Sequence, residues 1–179
     1  MQPTISTEEI SKILKAEHYD PFSVLGMHFM AIKNCIVVRT YFPNAKSINV
    51  LNIRSNTSTP MNKIHDGGFF EYIWENQTDF FQYKLEITDD QDNIFCIYDS
   101  YSFAPTISEF DMYLFNQGNH YTIYDKLGSH TCSVNNVDGT SFAVWAPCAK
   151  RVSVVGDFNQ WDGRRHQMRM LGCSDVWEI

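Results

Sequence analysis

The sequence lacks a long apolar run, and it lacks a basic start followed by an apolar stretch. A helix that crosses a bilayer needs about 20 apolar residues, so we expect no membrane span and no secretory leader. Cysteine is sparse. The five cysteines are an odd number without Cys-x-x-Cys spacing, which fits neither a disulfide framework nor a structural zinc site. We therefore predict reduced cysteines and a cytoplasmic protein.

Positive charge and catalytic signatures are also scarce. The 14 Lys and Arg residues face 21 Asp and Glu, giving a formal net charge of -7, so nucleic acid is not an expected partner. There is no nucleophile elbow, phosphate loop, dinucleotide fingerprint or His-Glu-x-x-His. Retaining glycosyl transfer needs two carboxyl groups placed across the bond, whereas Asp157 and Asp162 share one turn. We predict no catalytic residue, cofactor or metal within this chain.

The residues that are abundant favour strands, because 44% of the chain is hydrophobic and 15% is aromatic. Alternation of apolar and polar residues is clearest around Tyr83, Leu85 and Ile87, and it is typical of a half-buried antiparallel strand. Predicted strands in the first half cover residues 36–42, 47–53, 69–74, 81–88 and 94–98. They predict a sandwich that closes near residue 105.

Two short helices interrupt this β pattern. Ser6 and Glu9 have capping-box spacing before apolar residues at helical spacing, which predicts a helix ending near Glu17. Ser108 and Asp111 predict the cap of a second helix, which Gly118 would end. We assign residues 106–130, which contain this second helix, to an aromatic connector.

The two halves of the sequence repeat each other at an offset of 102–104 residues. The anchors are residues 25–28 with 127–130, residues 42–46 with 146–150, and Trp74 with Trp177. In both copies a histidine, His28 or His130, follows Leu-Gly-x, which predicts an equivalent structural hydrogen bond. The first copy has two predicted strands after its tryptophan, but the second copy lacks them, so we expect a longer protein.

Together these patterns predict an all-β fold with two tandem immunoglobulin-like β-sandwich modules. The short helices lie at the N-terminus and in the connector, and the second module is truncated. The predicted boundaries are 1–105 for the first module, 106–130 for the connector and 131–179 for the second module.

The second module is predicted to begin with a hairpin of strands 142–146 and 152–155, followed by a turn rich in aromatic and polar residues. In such a turn an exposed Trp161 stacks on the C–H face of a sugar ring, while Asn159 and Asp162 bind hydroxyl groups. The alternative is that Trp161 anchors the turn, and we expect this role for Phe158. Trp74, Trp145 and Trp177 lie in predicted strands and are expected in the core.

A cluster of basic residues surrounds this turn. It could line a sugar or anionic surface, or meet an acidic face of another domain. A solvated surface is the simpler interpretation. Its members are Lys150, Arg151, Arg164, Arg165 and Arg169.

Five stretches share the pattern of one known family: DPFSVLGMH at 20–28, FDMYLF at 110–115, YDKLGSH at 124–130, VDGTSFAVWAP at 137–147 and GDFNQWDGRR at 156–165. The chain resembles the N-terminal region of bacterial 1,4-α-glucan (glycogen) branching enzymes of the glycoside hydrolase family 13 type. The resemblance implies an α-glucan partner and a following (β/α)₈ barrel that carries the catalytic Asp and Glu.

The implied reaction transfers an α-1,4 glucan segment to a 6-hydroxyl without a cofactor, forming an α-1,6 branch in glycogen biosynthesis. The 179 residues alone are then expected to be inactive. Trp161, Asn159, Asp162 and Arg164 are the implied glucan-binding residues, and the first module lacks such a turn. Two alternatives remain: a stand-alone glycogen-binding module without an enzyme, and an immunoglobulin-like protein-interaction domain.

Overall fold

The computed structural model of the chain describes residues 3–179. The helices are α1 (Thr7–Leu14) and α2 (Glu109–Asn116). The strands are β1 (Gly26–Met30), β2 (Cys35–Tyr41), β3 (Ala45–Asn52), β4 (Thr57–Pro60), β5 (Asn62–His65), β6 (Phe69–Glu75), β7 (Tyr83–Asp89), β8 (Ile94–Tyr98), β9 (Gly128–Val134), β10 (Val137–Trp145), β11 (Arg169–Met170) and β12 (Val176–Glu178). This content confirms the all-β prediction. Across the described residues, neither helix reaches the length and apolarity that a membrane crossing requires.

The chain forms two compact units. The first comprises Phe22–Ser102 together with the residues up to Lys15, and the second comprises Ala16–Pro21 and Phe103–Ile179. Residues 106–130 contribute Ile107, Met112, Phe115 and Leu127 to the apolar cluster of the second unit. The boundaries 1–105, 106–130 and 131–179 stay a prediction.

The first unit is a sandwich of two antiparallel sheets, with strand orders β1-β2-β6-β5 and β4-β3-β7-β8. Tyr83, Leu85 and Ile87 of β7 are buried, as their alternation predicted. Every strand predicted in this half is present, whereas β1, β4 and β5 were missed. On the other face of the first sheet, Ile10 and Ile13 of α1 pack with Leu25, which is why this helix is amphipathic.

Helix α1 is shorter than predicted. Ser6 accepts a hydrogen bond from the Glu9 N–H at 3.2 Å, as its capping position predicted. The helix ends at Leu14 rather than near Glu17, because Ala16 adopts a left-handed backbone with φ 55°. Helix α2 has the predicted cap at Ser108, with Asp111 completing the capping box.

The second unit repeats the first sheet of the first unit. Its strand order is β9-β10-β12-β11, the same as β1-β2-β6-β5. The predicted hairpin of residues 142–146 and 152–155 is wrong, because both edges of β10 are already paired, with β9 and β12. Residues 152–155 instead contact the segment before β11 through the Val154 N–H to His166 O bond, 2.9 Å, and the Met168 N–H to Val152 O bond, 2.9 Å.

The predicted histidine equivalence is confirmed in the structure. His28 Nε2 lies 2.9 Å from Leu25 O, and His130 Nε2 lies 2.9 Å from Leu127 O. Each ring therefore donates to the carbonyl three residues earlier and fixes the start of a strand, which accounts for the histidines without a metal.

The third repeat anchor is wrong. Arg39 lies opposite Glu71 between β2 and β6, whereas Ala143 lies opposite Glu178 between β10 and β12. Because Arg39 and Ala143 face the equivalent glycines of β1 and β9, Glu178 is the counterpart of Glu71. Trp177 thus corresponds to Phe70 rather than to Trp74, because the two paired strands are separated by three more residues in the second unit.

Each counterpart glutamate is buried and bound by a threonine from the start of its unit. Glu71 accepts from the Thr4 N–H at 3.1 Å, and Glu178 accepts from the Thr106 N–H at 2.5 Å. An arginine neutralises each carboxylate: Arg39 at 3.0 Å and Arg169 at 3.3 Å. Arg169, placed among solvated residues by the sequence, is therefore mostly buried in an ion pair.

The tryptophans differ in burial, and one of them does not lie where the sequence predicted. Trp177 is 1% exposed and Trp74 packs against the core of the first unit, as expected. Trp145 is 54% exposed, so its core assignment is wrong. It lies at the end of β10, where its ring meets that of Phe115 in a T-shaped arrangement with centroids 6.0 Å apart.

Candidate functional site

The turn at residues 156–163 carries the predicted sugar-binding side chains. A short 3₁₀ segment, Asp157–Asn159, is followed by Gln160 and Trp161, both with left-handed backbones of φ 57° and 59°. Two adjacent non-glycine residues in this region cost free energy, which hydrogen bonds must offset. Gly156 O accepts from Asn159 N at 3.1 Å and from Trp161 N at 3.0 Å. These two hydrogen bonds to one carbonyl oxygen fix the turn.

Asn159 is the centre of the turn and is fully buried. Its Oδ1 accepts from Gly156 N at 2.9 Å, and its Nδ2 donates to Val154 O at 2.8 Å and to His166 Nδ1 at 3.0 Å. These contacts use both amide hydrogens, so in this conformation Asn159 holds the turn and cannot reach a ligand. Its predicted contact with a sugar hydroxyl stays a prediction.

His166 is held neutral by its position. Its Nδ1 accepts the Asn159 amide hydrogen, which requires an unprotonated nitrogen at this atom. Burial, together with the nearby positive charge of Arg165, lowers the pKa of His166 to about 4. Protonation would thus break the contact that holds Asn159.

Because of this histidine, the free energy of unfolding is expected to decrease as the pH is lowered. The folded pKa, about 4, lies below the unfolded value of 6.5, so the unfolded chain takes up the proton first as pH drops. This contribution to stability is complete above pH 6.5 and is lost progressively as the pH falls to about 4, where the loss reaches about 3 kcal/mol. Urea unfolding at a series of pH values measures it.

The matched control is His166→Asn, which can accept the same hydrogen bond without titrating. Because other groups titrate in both proteins, the relevant quantity is the difference between the wild-type and variant curves. A difference that stays constant from pH 7 to pH 4 would contradict this assignment.

Trp161 presents its ring to solvent and is 65% exposed. Its Nε1 donates to Asp157 Oδ1 at 2.9 Å, which fixes the orientation of the indole while its faces stay accessible. Phe158, expected as an anchor, is also mostly exposed; its ring lies 5.3 Å from that of His166, between centroids, and lies close over Gly156. The turn therefore displays two aromatic rings, of which the sequence predicted one.

Asp162 and Arg164 form an ion pair two residues apart. Arg164 donates from Nε at 2.9 Å and from Nη2 at 2.7 Å to the two carboxylate oxygens of Asp162. These bonds lower the pKa of Asp162, which is therefore ionised at neutral pH. About half of the Arg164 side chain is exposed beside the turn. The site thus combines exposed rings with one ion pair, a composition suited to a neutral polyhydroxyl ligand.

The described residues contain no group of three or more His, Cys, Asp or Glu side chains placed to hold a metal ion. The five cysteines, all within residues 3–179, form no disulfides, and only Cys35 is buried.

Two family models match the chain. The model of the alpha-1,4-glucan branching enzyme GlgB N-terminal domain matches residues 6–101, and that of carbohydrate-binding module 48, described as the isoamylase N-terminal domain, matches residues 126–179. The second match contains the whole turn at 156–163. Both matches agree with the family resemblance that the sequence motifs indicated.

Curated relatives are similar along nearly the whole chain. The proteins named 1,4-alpha-glucan branching enzyme GlgB from Nostoc sp. and Cellvibrio japonicus are 44% and 40% identical over 98% and 97% of this chain. The chain spans 23% and 24% of their respective lengths. Among solved structures, the catalytic module of the glycogen-degrading pneumococcal virulence factor SpuA matches 48% of this chain and 13% of its own, at 15% identity and a TM-score of 0.35.

Proposed function

The chain belongs to the family of alpha-1,4-glucan branching enzyme GlgB N-terminal domains, and we propose that it is the glucan-binding and scaffolding region of such an enzyme. The complete enzyme would transfer an α-1,4 glucan segment to a 6-hydroxyl, forming an α-1,6 branch in glycogen biosynthesis. The catalytic barrel would lie outside these 179 residues. It would act without a cofactor and in the cytoplasm, in keeping with five cysteines that form no disulfides.

The α-glucan would bind at the turn of residues 156–163. The observation that carries this proposal is the exposed indole of Trp161, oriented by Asp157 and lying within the match to carbohydrate-binding module 48. A glucose ring would stack its C–H face on the indole, with hydroxyl groups bonding to Asp162 and Arg164 at the rim. Asn159 would act indirectly by holding the turn.

Trp161→Ala is expected to weaken retention by glycogen in a native gel. Aromatic contacts contribute about 0.5–1.5 kcal/mol beyond buried area, so the apparent affinity should fall up to roughly tenfold. Because the side chain is mostly exposed, the midpoint of unfolding should change little. Affinity electrophoresis at several glycogen concentrations measures the loss.

Trp145→Ala is the matched control, since Trp145 is an exposed tryptophan of the same unit outside the turn. Its retention should equal that of the wild type. Equal retention of Trp161→Ala and the wild type would make Trp161 a structural residue, and equal losses in both variants would place binding elsewhere.

Branching activity distinguishes the proposed enzyme from a stand-alone glycogen-binding module. A polypeptide that extends this chain to the length of its relatives should shift the iodine spectrum of an α-1,4 glucan, because new branches shorten the helical segments that bind iodine. The 179 residues alone should leave that spectrum unchanged. An extended protein that binds glycogen without shifting the spectrum would favour the stand-alone module.

A further inference from the structure

Aspartate is followed by glycine at three places in the chain: Asp66-Gly67, Asp138-Gly139 and Asp162-Gly163. At such a dipeptide the glycine amide nitrogen can attack the aspartate side chain and close a five-membered imide ring, because glycine has no Cβ to hinder the approach. The reaction needs a carboxyl group that is not engaged elsewhere, a main chain free to reach the attacking conformation, and a base for the amide hydrogen. The three dipeptides differ in these respects.

Two of the three dipeptides are arranged against ring closure. Gly139 lies opposite Cys132 in the β9–β10 ladder, so its main chain is held extended within a strand. Asp162 accepts two hydrogen bonds from the guanidinium of Arg164, at 2.9 and 2.7 Å, which lower the pKa of this carboxyl group. An ionised carboxylate is a poor target for a nucleophile, so this ion pair protects Asp162.

The dipeptide at Asp66 lacks both kinds of restraint. Asp66 lies in the turn between β5 and β6, and its side chain is exposed. With respect to residues 3–179, its carboxylate forms no hydrogen bond or ion pair. The next two residues, Gly67 and Gly68, are both glycines, so no side chain shields the carboxyl carbon from the Gly67 nitrogen.

His65 places a base on the nucleophile of this dipeptide. The Gly67 N–H donates to His65 Nδ1 at 2.9 Å, so this ring nitrogen is unprotonated and already accepts the hydrogen that must leave. A general base acts at about 2.6–3.2 Å between heavy atoms, which is the range of this contact. The His65 side chain is exposed, so the proton can exchange with water.

We propose that Asp66 is a site of spontaneous isoaspartate formation, with His65 as the general base. The Gly67 nitrogen bonds to Asp66 Cγ while its hydrogen passes to His65 Nδ1, and the hydroxyl of the protonated carboxyl group leaves as water with that hydrogen. Water then opens the ring. Attack at Cγ restores aspartate, whereas attack at the main-chain carbonyl carbon of Asp66 breaks its bond to Gly67 N and leaves the chain running through the side chain. One water is lost and one is gained, and the reaction does not depend on the proposed glucan site.

The rearranged turn carries one extra main-chain atom among closely packed neighbours. Gly68 adopts φ 96°, and a Cβ at this position would overlap Phe42 O and lie 2.6 Å from Pro43 Cα. The Gly68 carbonyl accepts from Phe42 N at 2.8 Å. A methylene inserted at Asp66 disturbs this contact between the turn and the residues after β2. Conversion to isoaspartate should therefore destabilise the first unit and leave the stability of the second unit unchanged.

Ageing the 179-residue chain in oxygen-18 water tests the proposal. Isoaspartate should accumulate at Asp66 with incorporation of the isotope, at a rate several-fold above the rates at Asp138 and Asp162. Peptide mapping with electron-transfer fragmentation locates the modified residue, and methylation by an isoaspartyl methyltransferase counts it independently. Equal rates at the three dipeptides, or a preference for Asp66 of the same size in urea, would overturn the role of the folded turn.

Two variants test the chemistry. His65→Asn is the matched one, because the asparagine oxygen can accept the same hydrogen bond from Gly67 but is not a base. The rate at Asp66 should fall several-fold in this variant, and Asp66→Glu, whose ring would have six members, should abolish the product. Both changes replace exposed side chains, so the melting temperature should change little. An unchanged rate in a folded His65→Asn variant would overturn the assignment of the general base.

Discussion

Glu71→Ala is expected to destabilise the first unit by about 3–5 kcal/mol, because it leaves the buried guanidinium of Arg39 without its counter-charge. The pair is 3.0 Å apart, and both side chains are less than 10% exposed. Thr4 also loses its acceptor, since its N–H and its hydroxyl both donate to this carboxylate. Hydrogen exchange of the β2 and β6 amides measures the loss in the first unit separately from the second.

The controls separate charge from packing. Glu71→Gln keeps an acceptor for Thr4 and should cost less than the alanine variant. The double variant Arg39→Met with Glu71→Leu removes both charges and should also cost less, because no unpaired charge is then buried. An alanine variant within about 1 kcal/mol of the wild type would contradict a structural role for this ion pair.

Trp177→Ala should destabilise the second unit by a similar amount, about 3–5 kcal/mol. The side chain is 1% exposed, in the strand between β10 and β11, and its Nε1 donates to Ala146 O at 3.4 Å. Truncation therefore opens a cavity and removes one of the two donors to Ala146 O, which keeps its bond from the Ala149 N–H at 3.1 Å. The denaturant midpoint for the exchange of β10 and β12 amides provides the measurement.

Trp145→Ala again offers the comparison, since it removes the same side chain from the neighbouring strand. Trp145 is half exposed, so its removal should cost about 1 kcal/mol or less. Equal costs for the two variants would mean that burial does not determine the contribution of these tryptophans.

Local patterns were sufficient for most of the first unit, because β7 has one buried face and alternates along the sequence, while β2 is buried along its whole length and is rich in β-branched residues. Strands β4 and β5 escaped prediction because they lie at sheet edges, where few apolar residues mark them. The predicted hairpin failed for another reason. Alternation shows that residues 142–146 form a strand, but it does not show which other strands occupy its edges.

The buried threonine–glutamate contacts were missed although the sequence contained their signal. Pro-Thr-Ile-Ser occurs at residues 3–6 and again at 105–108, at the same offset as the Leu-Gly-x-His anchors. Extending the repeat to these residues would have shown that 106–130 corresponds to the start of the first unit. The glutamates themselves could not be assigned from sequence, since a strand glutamate usually faces solvent.

The turn at 156–163 was predictable as a turn and as a place for an exposed tryptophan. The separate roles of its polar residues were not predictable, because these roles depend on residues outside the turn. Asn159 is buried because Val154 and His166 supply partners from both flanking segments. Arg164 belongs to a cluster by sequence, but its guanidinium is paired with Asp162.

The two buried glutamates also bear on how a duplicated chain sorts its own strands during folding. Tandem repeats tend to misassemble by exchanging equivalent elements. Glu71 takes its arginine from β2, but Glu178 takes its arginine from β11 and faces Ala143 on β10. With β10 in the place of β2, Glu71 would have no guanidinium, and the reverse exchange would place two guanidinium groups at Glu178. Either hybrid sandwich buries an uncompensated charge, so this asymmetry selects against chimeric pairing between the repeats.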